Sequence, residues 1–149
     1  MSSSTCEGLR LPGIVSAVPG RRGLAWVDAL ARSECPAFTA RRARRAELSG
    51  APTDPIVWTA AVGANVEDAD GNRYVDFTSG FGVAAVGHRH PRVVEAITAQ
   101  SQRLIHGLGD VYPSDVKITL LERLAALGPW RESRVILGLS GSDAIEAAL

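Results

Sequence analysis

Apolar positions along the chain switch between a helical and a strand-like period, and the switches divide it into elements. Residues 1–20 carry Ser, Gly and two prolines without any period and read as an extended arm. Leu24, Trp26, Val27 and Leu30 have helical spacing over 24–32. Pro36 is placed to open a second helix and Ser49-Gly50 to close it, because glycine suits the left-handed position just past a helix end. Ala51-Pro52-Thr53-Asp54-Pro55 is a linker. Three short strands follow, Ile56–Val62, Ala64–Glu67 and Arg73–Phe77, rich in β-branched and aromatic residues. Asp70-Gly71-Asn72 turns the last two, which predicts an antiparallel meander.

Beyond the meander the helical period returns. Gly80-Phe81-Gly82 and Gly87-His88-Arg89-His90-Pro91 flank Val83–Val86, and Pro91 is placed to start a helix. Val93, Val94, Ile97, Leu104 and Ile105 then share one face. Pro113, Ser114 and Asp115 open another helix, striped by Val116, Leu120, Leu121, Leu124 and Leu127 and ended by Gly128-Pro129. Val135-Ile136-Leu137-Gly138-Leu139 is apolar without alternation, as expected of a strand buried on both faces of a parallel sheet. A Ser/Gly turn and a helix-favouring stretch follow it.

Composition narrows the classes. The chain has 149 residues, 46% apolar, with a formal net charge of zero. That length is at most one domain's worth, and the charge balance argues against a nucleic-acid partner. It also favours a solvated helix face over a phosphate patch for Arg41, Arg42, Arg44 and Arg45. No run of about 18 apolar residues suggests a membrane span. Met1-Ser2-Ser3-Ser4-Thr5 lacks the charged start and apolar core of a secretory signal. Arg10, Arg21 and Arg22 with few acids resemble a transit peptide, but a loose arm is the simpler reading. Cys6 and Cys35 form no disulfide framework, and we read both as reduced thiols in the cytoplasm.

The turn at Ser140 carries three readings. A phosphate cradle would use the outward N–H groups and dipole of the helix start, with Gly141 allowing close approach and Ser140 and Ser142 adding hydroxyls. A nucleophile elbow is suggested by Gly138-x-Ser140-x-Ser142, a near match to G-x-S-x-G that lacks its second glycine. The third is an ordinary helix cap, with Ser140 or Ser142 bonding the first helical N–H groups. A nucleotide P-loop is excluded, since no Gly-Lys-Ser/Thr follows. Asp68, Asp70 and Asn72 mimic the start of a calcium loop, but the glycine comes one place early and Ser79 stands where a glutamate is required, so a hairpin turn is read instead. His88 and His90 lack a plausible third metal ligand. We read a loop leading into a helix, with one imidazole capping backbone groups, and His106 at a helix end.

Taken in order, these segments resemble the class III aminotransferases, the fold-type I family that depends on pyridoxal 5'-phosphate. The resemblance starts at Leu11-Pro12-Gly13 and runs through Ala61–Phe77, Ser79-Gly80-Phe81-Gly82-Val83 and Gly87-His88-Arg89-His90-Pro91. Gln100, Leu104 and His106 continue it, and Ser140–Ala148 closes it. Among members, the chain looks most like the 4-aminobutyrate branch. The resemblance implies an α/β fold in three parts. Residues 1–50 would be an arm and helices, 51–110 a small-domain segment with the meander, and 111–149 the truncated start of the large parallel-sheet domain. It implies that Ser140, Gly141 and Ser142 bind the cofactor phosphate and that Phe81 faces the substrate. It also implies a homodimer, with the active site at the subunit interface, acting on an amino donor and a 2-oxo acid.

The family's chemistry needs a lysine that joins the cofactor covalently and an acid that keeps the ring nitrogen protonated, so that the ring can accept electrons. Both lie downstream of the phosphate turn in the family. The single lysine here, Lys117, lies upstream and reads as a solvated helix residue, so no catalytic residue and no metal ligand is assigned. The encoded function is then transfer of an amino group from a 4-aminobutyrate-like or other ω-amino donor to a 2-oxo acid, with the chain as given inactive. A racemase or aminomutase of the same family is the alternative. A non-catalytic remnant that binds phosphate or a partner is another, and a serine hydrolase a distant third. With Val135–Leu139 deprived of neighbouring strands, the isolated chain is expected to fold poorly.

Overall fold

β-branched and aromatic residues around two tight turns produce the meander expected from the pattern. In the computed structural model, which describes residues 11–149, β1 (Trp58–Val62), β2 (Asn65–Asp68) and β3 (Arg73–Val75) form one antiparallel sheet in the order β1-β2-β3. Val62 pairs with Asn65 across the Gly63-Ala64 turn, and Ala61 with Val66. A register irregularity between Trp58 and Ala60 adds a residue to β1. Val66 also faces Tyr74 on β3. The strands are shorter than predicted at their outer ends: residues 56–57 and 76–77 lie outside the ladder. Cys6, Arg10 and the first half of the predicted arm fall outside the described residues.

The helices follow their punctuation. They are α1 (Arg21–Ser33), α2 (Pro36–Ser49), α3 (Pro91–Arg103), α4 (Asp115–Leu127) and α5 (Gly141–Ala148). Gly50 closes α2 in the left-handed conformation, φ 64°. Ser114 caps α4 by accepting from the Lys117 N–H at 3.3 Å. On α2, Arg42 pairs with Glu34, and Arg41 lies over the Phe38 ring at 5.4 Å, while Arg44 and Arg45 are exposed. The face is solvated and partly self-paired.

By its contacts the chain divides into two compact units, 1–96 and 97–149. In the first, the centre is polar. Val66 and Ala69 are its buried apolar residues, beside buried Asp68, Asn72 and Asp76. Asn72 is fully buried, and its side-chain oxygen accepts from the Val15 and Ser16 N–H groups, both at 2.8 Å. Its amide donates to Asp68 at 2.8 Å and to the Ser16 hydroxyl at 2.9 Å. Gly13 and Arg73 exchange backbone bonds at 2.9 and 3.0 Å. From Leu11 onward, therefore, the arm is not loose, because buried polar groups of the meander hold it. Asp70 reaches the start of α1 and accepts from the N–H groups of Arg22 at 2.8 Å and Gly23 at 2.7 Å. The hairpin turn expected at Asp70-Gly71-Asn72 is present, and it is also the clasp that joins arm, α1 and sheet.

Asp68 shows how such a centre is tolerated. Burial pushes its carboxyl up, but bonds from the Asn72 side chain, the Tyr74 hydroxyl and the N–H groups of Asn72 and Asp70 outweigh that and hold it below its ordinary value. Tyr74, half-buried and donating to Asp68 at 2.7 Å, is pushed up to about 12.

In the second unit, Arg103 at the end of α3 grips Asp115 at the start of α4 with two bonds of 2.9 Å. Two expectations are corrected here. Helix α3 stops at Arg103, so Leu104, Ile105 and His106 lie beyond it. Gln100 donates to the Leu104 carbonyl at 2.8 Å and closes the last turn early. Val135–Leu139 forms no strand and joins no sheet. A parallel strand needs neighbours for its N–H and C=O groups, and the described residues supply none beside it. Ile136 is 73% exposed and Leu139 fully so.

Candidate functional site

Each unit carries one group of residues singled out from the sequence. In the second unit, Ser140 is the cap of α5, with extended backbone, and its hydroxyl oxygen accepts from the Asp143 N–H at 3.1 Å. Asp143 folds back and accepts from the Leu139 N–H at 2.7 Å. This reciprocal pair resembles a capping box, and it turns the Asp143 carboxylate back toward the preceding segment. The N–H groups of Gly141 and Ser142 and the Ser142 hydroxyl have no hydrogen-bond partner among the described residues. A Cβ built at Gly141 would meet nothing within 4 Å. Two free N–H groups, a free hydroxyl and a helix start converge on open space, a donor set that suits a phosphate dianion. The nucleophile elbow finds no support. Ser140 sits at φ −151° without the strain of an elbow, and its hydroxyl pairs with a backbone N–H instead of an imidazole.

In the first unit, Phe81 projects from the loop between β3 and α3 and is 96% exposed. Four consecutive residues there have left-handed backbone: Ser79 (φ 49°), Gly80 (58°), Phe81 (60°) and Gly82 (85°). For glycine this is free, whereas each non-glycine residue held so costs about 1–2 kcal/mol. Something must hold the loop, and the structure shows what does. Asp76, its side chain 2% exposed, accepts from the Thr78 hydroxyl at 2.7 Å, the Thr78 N–H at 3.0 Å, the Gly80 N–H at 2.8 Å and His88 Nε2 at 2.8 Å. The Thr78 hydroxyl, His88 and the two N–H groups together draw its carboxyl down to about 2, against the upward push of burial. His88 is fixed again by backbone bonds to Gly63, at 2.8 and 2.9 Å, and edge-on by Trp58.

The Asp76–His88 pair escaped sequence reasoning, which gave one imidazole of this loop a backbone-capping role. His88 bonds a carboxylate instead, and His90 Nδ1 is buried without a partner among the described residues. The available signal was Asp76 itself, at a strand end before Thr78, Ser79 and Gly80, where an aspartate folds back on following N–H groups. The recess beside the pair, about 140 Å³ and bounded by Ser79, Gly87 and His88, is smaller than the roughly 300 Å³ at which small-molecule sites begin. Lys117 donates to the Gly109 carbonyl at 3.3 Å and is not part of either group. Among the described residues, no set of three His, Cys, Asp or Glu side chains is placed to hold a metal.

Comparison with known proteins supplies the context. The chain is 37% identical over 95 residues to an alanine/serine racemase of Pyrococcus horikoshii, covering 64% of this chain and 20% of that protein. It is 43% identical over 97 residues to the acetylornithine aminotransferase of Mycobacterium leprae, covering 64% and 24%. Its structure is similar to that of the ornithine aminotransferase from Toxoplasma gondii, with a TM-score of 0.57 and 35% identity over 63% of this chain and 22% of that one. The chain thus spans between a fifth and a quarter of the length of these two curated relatives. The family model described as aminotransferase class-III matches residues 49–149, which include the meander, the Asp76 loop and the Ser140 turn, and the chain belongs to that family.

Proposed function

We propose that this chain forms the amino-terminal, phosphate-anchoring part of a pyridoxal 5'-phosphate-dependent aminotransferase. The enzyme would move an amino group from a 4-aminobutyrate-like or other ω-amino donor to a 2-oxo acid. The observation that carries this reading is the open donor set at the start of α5. Gly141 and Ser142 would offer their N–H groups to the cofactor phosphate, and the Ser142 hydroxyl would donate a third bond. The Ser140 oxygen is engaged by Asp143, which leaves its O–H proton to turn outward. When bound, the cofactor supplies an electron sink for the carbon that bears the amino group. Phe81, almost fully exposed on an uncharged loop, would form an apolar wall against the substrate. The working enzyme would be a cytoplasmic homodimer. The exposed thiol of Cys35 and the large apolar side chains left uncovered on α3 and α4 agree with that reading.

A second reading has a specific observation in its favour, the racemase among the relatives. The test uses the full reading frame that contains residues 1–149, loaded with pyridoxal 5'-phosphate and given an ω-amino donor. Transfer predicts a new amino acid only when a 2-oxo acid is present. Inversion of an amino acid without any 2-oxo acceptor would overturn transfer in favour of racemisation.

A further inference from the structure

The loop from Phe77 to Gly87 contains no charged residue, yet its base is closed by a hydrogen bond between buried Asp76 and half-buried His88. Asp76 precedes the loop and His88 follows it. One oxygen of the carboxylate takes the Thr78 hydroxyl and N–H, and the other takes the Gly80 N–H and the imidazole. A single carboxylate therefore binds the rising side of the loop and its far end together. The imidazole ring also lies against Gly80: a Cβ there would come within 4.0 Å of His88 Cε1. Phe81 is the next residue, left-handed and outward. An exposed aromatic ring in a left-handed backbone is not the resting state of a free loop, because ordinary side chains avoid that region unless the surroundings impose it.

We propose that Asp76 and His88 are positioning residues that hold the 77–87 loop in its left-handed form and so fix Phe81 as a rigid apolar wall for the aliphatic portion of the amino donor. The inference rests on the reading of Phe81 as a substrate-facing side chain, and it adds which residues set the position of that side chain. The pair touches no substrate. Its effect passes through the Gly80 N–H and the closed base of the loop. Loss of the imidazole frees one end of the loop, and the strained residues relax toward ordinary backbone.

The test follows the loop directly in the full reading frame that contains residues 1–149, labelled with 4-fluorophenylalanine, with the Phe81 signal assigned by Phe81→Leu. The intact protein should show a Phe81 fluorine resonance shifted from the random-coil position. His88→Ala should move it to that position and speed amide exchange of Gly80 and Gly82 by about tenfold or more, while exchange at Val66 and Asn72 changes by less than about threefold. His88→Gln, whose side-chain amide can donate to Asp76, should restore the native signal. An unchanged Phe81 resonance in His88→Ala overturns the proposal. So does loss of Val66 protection in His88→Ala that His88→Gln fails to repair, since the pair would then support the whole sheet and not the loop. The readout does not depend on turnover. A rigid loop in a protein that transfers no amino group would refute the proposed function and leave this inference standing.

Discussion

Single residues carry most of the order in the first unit, and they do so with polar atoms. Asp68, Asn72 and Asp76 are buried where a small sheet would ordinarily place aliphatic side chains, and each is met by several donors. This makes stability sensitive to pH at both extremes. Asp76 is drawn from 3.8 to about 2 in the fold, so its contribution is complete above pH about 4 and disappears as pH falls toward 2. Tyr74 is raised from 10.0 to about 12, so its contribution is complete below pH about 10 and is lost as pH climbs through 12. Amide exchange of the meander across pH should show both edges. Asp76→Asn should flatten the acid edge and Tyr74→Phe the alkaline one, and an unchanged acid edge in Asp76→Asn would contradict the assignment. None of this was legible residue by residue. Asp68, Asp70 and Asn72 were recognised as a turn, but their partners Val15, Ser16 and Arg22 lie about fifty positions away, and no local pattern points to them.

At the scale of elements the sequence was informative wherever punctuation is local. Pro36 and Gly50 bound α2, Pro91 opens α3 and Ser114 caps α4, each as the residue chemistry requires. The meander and its turns were legible for the same reason. Reading failed where an element depends on distant partners. Val135–Leu139 has the composition of an inner strand but has no neighbouring strand among the described residues, and α3 ends before Leu104, whose carbonyl takes the Gln100 side-chain amide. The clasp on α1 gives a direct test. A Cβ at Gly20 would lie 2.4 Å from Asp70 Cγ, so Gly20→Ala should push the carboxylate off the helix start. Loss of such a cap costs about 0.5–2 kcal/mol, which should speed exchange at the Arg22 and Gly23 amides by roughly two- to thirtyfold. Unchanged exchange there would remove Asp70 from the role of cap.

For the whole molecule, the two units differ in how much they can order by themselves. In the first, the clasp and the sheet bury a small polar centre. In the second, neither α4 nor α5 has a buried residue, and Ile136, Leu139 and Ile145 stand in solvent. Helices of this length are marginal in water without a packed face. The 149-residue chain alone should therefore bind a hydrophobic dye such as anilinonaphthalene sulfonate, and residues 97–149 should melt without a cooperative transition. A sharp transition reported from α4 would contradict this. Of the candidate site, the helix start at Ser140, Gly141 and Ser142 was legible because a cap and the open donors beside it are local features. The Asp76–His88 pair was not, because it spans twelve positions and depends on a loop closing.

The central claim is that the start of α5 anchors a cofactor phosphate. The most direct measurement is equilibrium binding of pyridoxal 5'-phosphate to the full reading frame, intact and as Ser142→Ala. The account predicts one cofactor bound per chain and an affinity roughly tenfold lower in Ser142→Ala, as expected for one lost bond to a charged group. Binding at the same affinity in Ser142→Ala, or no binding by the intact protein, would contradict it.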